Sequence, residues 1–176
     1  MNRKYLIPTF AVASLLIGHH GAWGQPSTGS HIMEAGGKMP QSVVWYSEPT
    51  EITDIGLLLQ AGEKQKALEK ARSYVAKLKN VEGGEARVRR YYGLNALCAA
   101  LTSMGEYGEA IKTCSDAIEI FPTRWQALNN RGVAYYASRQ IDKARQDYQE
   151  ALSHATDSEP VTDLIKHNIA LAETKK

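Results

Sequence analysis

The chain has 176 residues, 43% of them hydrophobic and 23% charged, which is the composition of one globular domain rather than a disordered chain. Its formal charge of +2 is owed to Arg3 and Lys4; without them 19 basic residues stand against 19 acidic ones. A neutral body has no broad field to gather nucleic acid or anionic lipid, so neither is expected as a partner.

The first 24 residues have the three-part layout of a secretory signal peptide. Asn2, Arg3 and Lys4 make a positive start, and Tyr5 to Gly18 (YLIPTFAVASLLIG) is an apolar run interrupted by Pro8. Ala22-Trp23-Gly24 puts small residues at the two places a signal peptidase reads, with cleavage expected before Gln25. The apolar run is shorter than the ~20 residues that cross a bilayer. His19 and His20 end it, and no Cys follows to take a lipid anchor. The expectation is an exported bacterial protein, periplasmic or secreted, without stable membrane insertion after cleavage. Residues 25–47 form an expected flexible lead-in, rich in Gly, Ser and Pro up to Gln41 and lacking any helical or strand period. Ser42 to Tyr46 (SVVWY) is apolar enough to want burial but too short to form a sheet alone. It is expected to lie against the helical body or remain mobile.

Residues 48–176 are expected to form the helical domain. A first hairpin, Thr50–Asn80, carries Ile52, Ile55 and Leu58 on one helix and Ala67, Ala71, Tyr74 and Leu78 on the next. A second, Glu85–Pro122, has apolar residues at three- and four-residue steps: Leu94, Leu97, Cys98 and Leu101, then Ala110, Cys114, Ala117 and Ile118. Gly105 sits at its turn, where positive φ is easy, and Pro122 stops its second helix. A third hairpin spans Arg124–Ala155. A last helix from Pro160 to about Thr174, with Ser158 as its N-cap, covers the end of the stack through Val161, Leu164, Ile165 and Ala172. The total is seven helices.

The second and third hairpins repeat at 34 residues. Arg90, Leu94, Asn95, Ala100, Ala110 and Ala117 coincide with Arg124, Leu128, Asn129, Ala134, Ala144 and Ala151. Tyr91 coincides with Trp125, and Ile118 with Leu152. With Gly132, Tyr135 and Tyr148 these residues resemble the tetratricopeptide repeat family, and ALNNRGVAYY (Ala127 to Tyr136) resembles a common variant of the repeat. Cys114 stands where that pattern has an aromatic, Arg131 where it is often apolar, and Thr156 where it has Pro. The first hairpin is offset by 43 residues (Ala67 to Ala110), so about nine are inserted, expected as a longer loop at 80–84 and extra turns on a flanking helix. The resemblance implies an all-α fold, a right-handed superhelix of antiparallel hairpins with about three repeats and a C-terminal capping helix.

The resemblance also implies that the first helix of each hairpin lines a concave groove. The partner-binding residues expected there are Tyr92, Asn95, Thr102, Gln126, Asn129, Asn130, Val133 and Tyr136, with Ala99 among them. Asn offers donors and acceptors to an extended peptide backbone, and Tyr offers flat amphipathic area; the same residues could equally be a solvated polar face. Some members of the family clamp a carboxylate with Lys, Arg and Asn, but here Gln126 and Asn130 are uncharged and Ile52 and Ala96 fill the other slots. Arg87, Arg89 and Arg90 beside Tyr91 and Tyr92 are expected to be a solvated helix start rather than an acidic-ligand site.

No catalytic set is visible. His31 and Glu34 make only half a metal motif, and His154 and His167 stand alone. Gly83-Gly84 lacks the Lys-Ser or Lys-Thr of a phosphate loop, and no G-x-S-x-G occurs. Cys98 and Cys114 are expected to be buried thiols, on the view that Cys98 opposes Ala110 and leaves Cys114 a turn away. Export would make a disulfide chemically possible. The sequence therefore points to a protein–protein interaction module of the cell envelope, without cofactor, metal or enzymatic activity. The alternative is a structural or self-associating scaffold of the periplasm.

Overall fold

The computed structural model describes residues 31–32, 42–44, 50–155 and 159–175. The leader and the Ser158 cap lie outside them. The described residues contain seven helices: α1 (Thr50–Gln60), α2 (Lys64–Lys77), α3 (Gly84–Met104), α4 (Tyr107–Ile120), α5 (Trp125–Ala137), α6 (Ile141–His154) and α7 (Glu159–Glu173). They form an all-α helical-repeat solenoid. Two short strands precede them, β1 (His31–Ile32) and β2 (Val43–Val44), paired antiparallel with His31 opposite Val44 and Ile32 opposite Val43. Residues 25–41 show no strand period, and two-residue strands are not stable alone in water. This pair has support, because β2 lies against α1, α3 and α5.

Each helix packs on the next in sequence, as short connections between antiparallel helices require. The first helices also touch in series, α1 on α3 and α3 on α5, and α7 then packs on α5 as a further first helix would. The nine-residue offset of the first hairpin is now accounted for. Helix α3 starts seven residues before the position equivalent to the start of α5, and the loop before it is six residues against four. Those extra turns (Gly84 to Arg90) are mostly exposed, whereas α3 from Tyr91 to Leu101 is buried almost all round. A helix flanked by neighbours on every side needs no polar stripe.

Basic side chains close the open helix ends, where unpaired carbonyls carry partial negative charge. Arg87 donates to the Ile120 carbonyl that ends α4 (2.8 Å) and lies over the Phe121 ring, and Arg90 donates to the Leu78 and Val81 carbonyls (3.1 and 2.8 Å). Arg89 pairs with Glu85 one turn away. The three arginines thus serve the fold separately. Arg145 reaches the Ala172 and Lys175 carbonyls at the end of α7.

The hairpin turns share one backbone solution. Gly62 (φ 76°) and Gly105 (φ 82°) adopt left-handed conformation, and so does Arg139 (φ 67°), the equivalent residue of the third hairpin. A Cβ in that region costs roughly 1–2 kcal/mol. Arg139→Gly is therefore expected to stabilise the chain by about 0.5–1 kcal/mol, raising Tm by a few degrees in a thermal melt. An unchanged or lower Tm would contradict this.

Candidate peptide-binding groove

The first helices α1, α3 and α5 touch in series, and the expected groove residues stand on α3 and α5. Their exposure differs from the open polar surface read from the sequence. Tyr92, Asn95, Gln126, Asn129, Asn130, Val133 and Tyr136 are buried, as is Ala99; Thr102 alone is half-buried. Burial has two physical sources. The asparagines face the neighbouring first helix, and the lead-in strand β2 lies against the same three helices.

The asparagines form a chain across the stack. Asn130 on α5 donates from its side-chain amide to Asn95 on α3 (3.0 Å), and Asn168 on α7 donates to Asn129 on α5 (2.8 Å). Asn129 stands 3.5 Å from Asn130, which makes the link continuous. Each amide satisfies its neighbour in a place where an unpaired one would cost roughly 1–3 kcal/mol. These residues therefore set the register between first helices. Asn168 escaped the sequence reading because α7 was expected only as a cap, although it starts 34 residues after α5.

The tyrosines are anchored too. The Tyr91 hydroxyl donates to Gln126 (3.3 Å), and burial pushes its phenol up. Arg124 donates to the Tyr92 hydroxyl (2.8 Å) while its guanidinium lies 4.7–5.3 Å from the ring centres of Phe121, Tyr91 and Tyr92. Such cation–π contacts fix a cation at the edge of the face. At its other end Lys175 lies over the Tyr136 ring (5.6 Å). The expected groove residues themselves are uncharged.

Two features behind the face hold its helices in place. Arg131, in a slot that is often apolar, makes a bidentate pair with Asp147 (2.8 Å for both bonds) and donates to Ser115 (3.1 Å), joining α5 to α6 and α4. The hydrogen bonds it donates to Asp147 push the guanidinium up, and burial pushes the Asp147 carboxyl up. The second feature corrects the sequence reading: Cys98 and Cys114 are joined in a disulfide, with Cα atoms 5.4 Å apart, inside the usual range for a bridge. The turn centres on Glu106, eight residues from each cysteine, so in an antiparallel hairpin the two lie level. Cys98 does not oppose Ala110, and facing Cα atoms stand closer together than the helix axes, so an axis separation of about 8 Å does not bar a bridge.

The same level is filled differently in each hairpin. The equivalent pair is Ile55 with Ala71 in the first and Gly132 with Tyr148 in the third. A Cβ on Gly132 would stand 2.5 Å from the Tyr148 ring, so the aromatic occupies the volume that glycine leaves. Large with small, sulfur with sulfur, and nothing with large all fill one gap at interior density.

The fold defines a helical-repeat protein, and the similar proteins agree on the class. The tetratricopeptide repeat family model matches residues 125–156, the third hairpin. The chain is 38% identical over 52 residues to the peptidyl-prolyl cis-trans isomerase PASTICCINO1 of Arabidopsis thaliana, covering 30% of this chain and 8% of that protein. It is 23% identical over 120 residues to DnaJ homolog subfamily C member 3 of Bos taurus, covering 67% and 24%. Among solved structures, the P58(IPK) TPR domain superposes with a TM-score of 0.55 at 24% identity, over 72% of this chain and 34% of that one. The first TPR domain of human RPAP3 gives 0.50 at 16% identity, over 70% and 93%. These structural likenesses show the fold. The chain spans under a quarter of either curated relative's length, and the match to the isomerase is partial. Tetratricopeptide repeats are generally non-catalytic scaffolds that mediate protein–protein contacts. Among the described residues no three His, Cys, Asp or Glu side chains gather to hold a metal, and no helix is long and apolar enough to cross a membrane.

Proposed function

We propose that this chain is a protein-interaction module of the bacterial cell envelope that holds a peptide or protein partner on the face formed by α1, α3 and α5. The observation that carries this reading is β2. An extended segment lies against all three first helices, so their surface has a shape that accepts extended chain. The envelope location is supported by the signal-peptide pattern of residues 1–24 and by the Cys98–Cys114 disulfide, since such bonds persist in oxidising compartments. The test is crosslinking in intact cells from a photoreactive residue at Thr102, the half-buried member of the inner face, with Lys112 on α4 as the control position. Capture of a defined envelope protein from residue 102 and not from residue 112 is the expected result. Equal capture from both positions, or none from Thr102, would overturn it.

A further inference from the structure

We infer that the groove selects an uncharged, extended segment, and that residues 42–44 are its resident occupant, which a partner segment of the same chemistry must displace. The inference rests on the interaction reading above and names the partner class for that site.

Three observations carry it. First, β2 touches α1, α3 and α5, the helices whose inner faces form the groove. Ser42, immediately before it, is only 3% exposed although it belongs to the lead-in rather than to a helix. Second, the chemistry of seat and occupant agrees. Residues 42–44 (Ser-Val-Val) carry no charge, and neither do the groove residues Tyr92, Asn95, Gln126, Asn129 and Asn130. Arg124 and Lys175, at the two ends of the face, are held on tyrosine rings. A charged peptide would surrender its hydration there without an ion partner. An uncharged one loses little and can exchange main-chain hydrogen bonds with buried amides. Third, the occupant is held by little of its own. Its only strand partner among the described residues is β1, two residues long. A ribbon of that length has no stability apart from the surface it lies on, so a competing segment with more contacts can replace it.

A tethered occupant lowers the apparent affinity of every outside ligand by the fraction of time it fills the seat. The lead-in therefore works as a threshold: weak or charged segments are refused, and one that outcompetes the tether is admitted.

The probe is a synthetic peptide of residues 39–46 carrying Ile at the two Val positions, so that its mass differs from the chain's own segment. Hydrogen exchange on the unaltered full chain is followed with and without saturating peptide. Amides of residues 43–44 are expected to exchange at least tenfold faster when peptide is bound, while those of α3 and α5 do not. In a second arm, Val43→Asp with Val44→Asp changes both strand positions, because neighbours in a strand project to opposite faces. That variant is expected to bind the peptide at least tenfold more tightly than the unaltered chain, and a peptide with Asp at both positions is expected to bind neither. Unchanged exchange at residues 43–44, or equal affinity for both chains, overturns the inference. If the double variant does not fold, the exchange arm decides alone. Concentration-dependent dimerisation that is lost in the double variant would make a second copy of this chain the occupant, and the foreign-segment inference would fall. Capture from Thr102 without any peptide effect leaves the interaction reading standing and removes only this inference. Failure of both removes both.

Discussion

Asp147→Ala is expected to lower the unfolding free energy by about 3 kcal/mol, the lower end of the range for breaking a buried ion pair. The carboxylate is 6% exposed and takes two hydrogen bonds from Arg131, whose side chain is 20% exposed. Removing it leaves a guanidinium with its Ser115 bond and the face of Tyr135, and with only a fifth of its surface open to water. That residual access is why the lower end applies. Asp147→Asn should cost nearly as much, because its NH₂ group would confront one of the guanidinium N–H groups. Arg131→Met combined with Asp147→Leu should recover most of the loss, since well-packed apolar residues often replace a buried pair at no net cost. Urea denaturation of the unaltered chain, Arg131→Met, Asp147→Leu and the double variant forms the cycle that separates the pair from its parts. A single-variant loss below about 1 kcal/mol would mean that the pair behaves as an exposed one.

The disulfide gives the other large effect. Cys98→Ala with Cys114→Ala is expected to cost about 3 kcal/mol, the loop-closure value for a bridge spanning some 15 residues. Its sequence separation is 16, and both cysteines are fully buried. Burial has a kinetic consequence: a reductant reaches the bond only when the α3–α4 hairpin opens. Reductant should therefore act slowly on the native chain and rapidly in moderate urea. It should shift the melting curve of the native chain and leave that of the double variant unmoved. Rapid reduction under native conditions would show that this hairpin opens locally, without unfolding the rest.

Helix number and order were legible in the sequence, because the spacing of Ala110 and Ala144 and the faces it aligns are one-dimensional patterns. The hairpin limits fell within a few residues of those observed for the same reason: Gly62, Gly105 and Pro122 act on the local backbone. The cysteine pairing failed on a local assumption. Choosing Ala110 rather than the turn as the point of symmetry displaced Cys114 by one helical turn. The groove was harder. The 34-residue spacing identifies which positions face inward, and Tyr92, Asn95, Gln126 and Asn129 do stand on first helices. It says nothing about what lies over that face or between neighbouring helices.

That is where the sequence and the tertiary structure divide. The sequence by itself determined the helical hairpins and their stacking order, since each follows from residue type and spacing along the chain. Only the tertiary structure decided that Asn95, Asn129, Asn130 and Asn168 join across three helices, that Arg131 in an apolar slot finds Asp147, and that β2 lies against α1, α3 and α5. Those contacts link residues 16 to 39 positions apart or bridge the lead-in to the body. A buried polar group is tolerated only where a partner from another element meets it, and that meeting is fixed by packing in three dimensions.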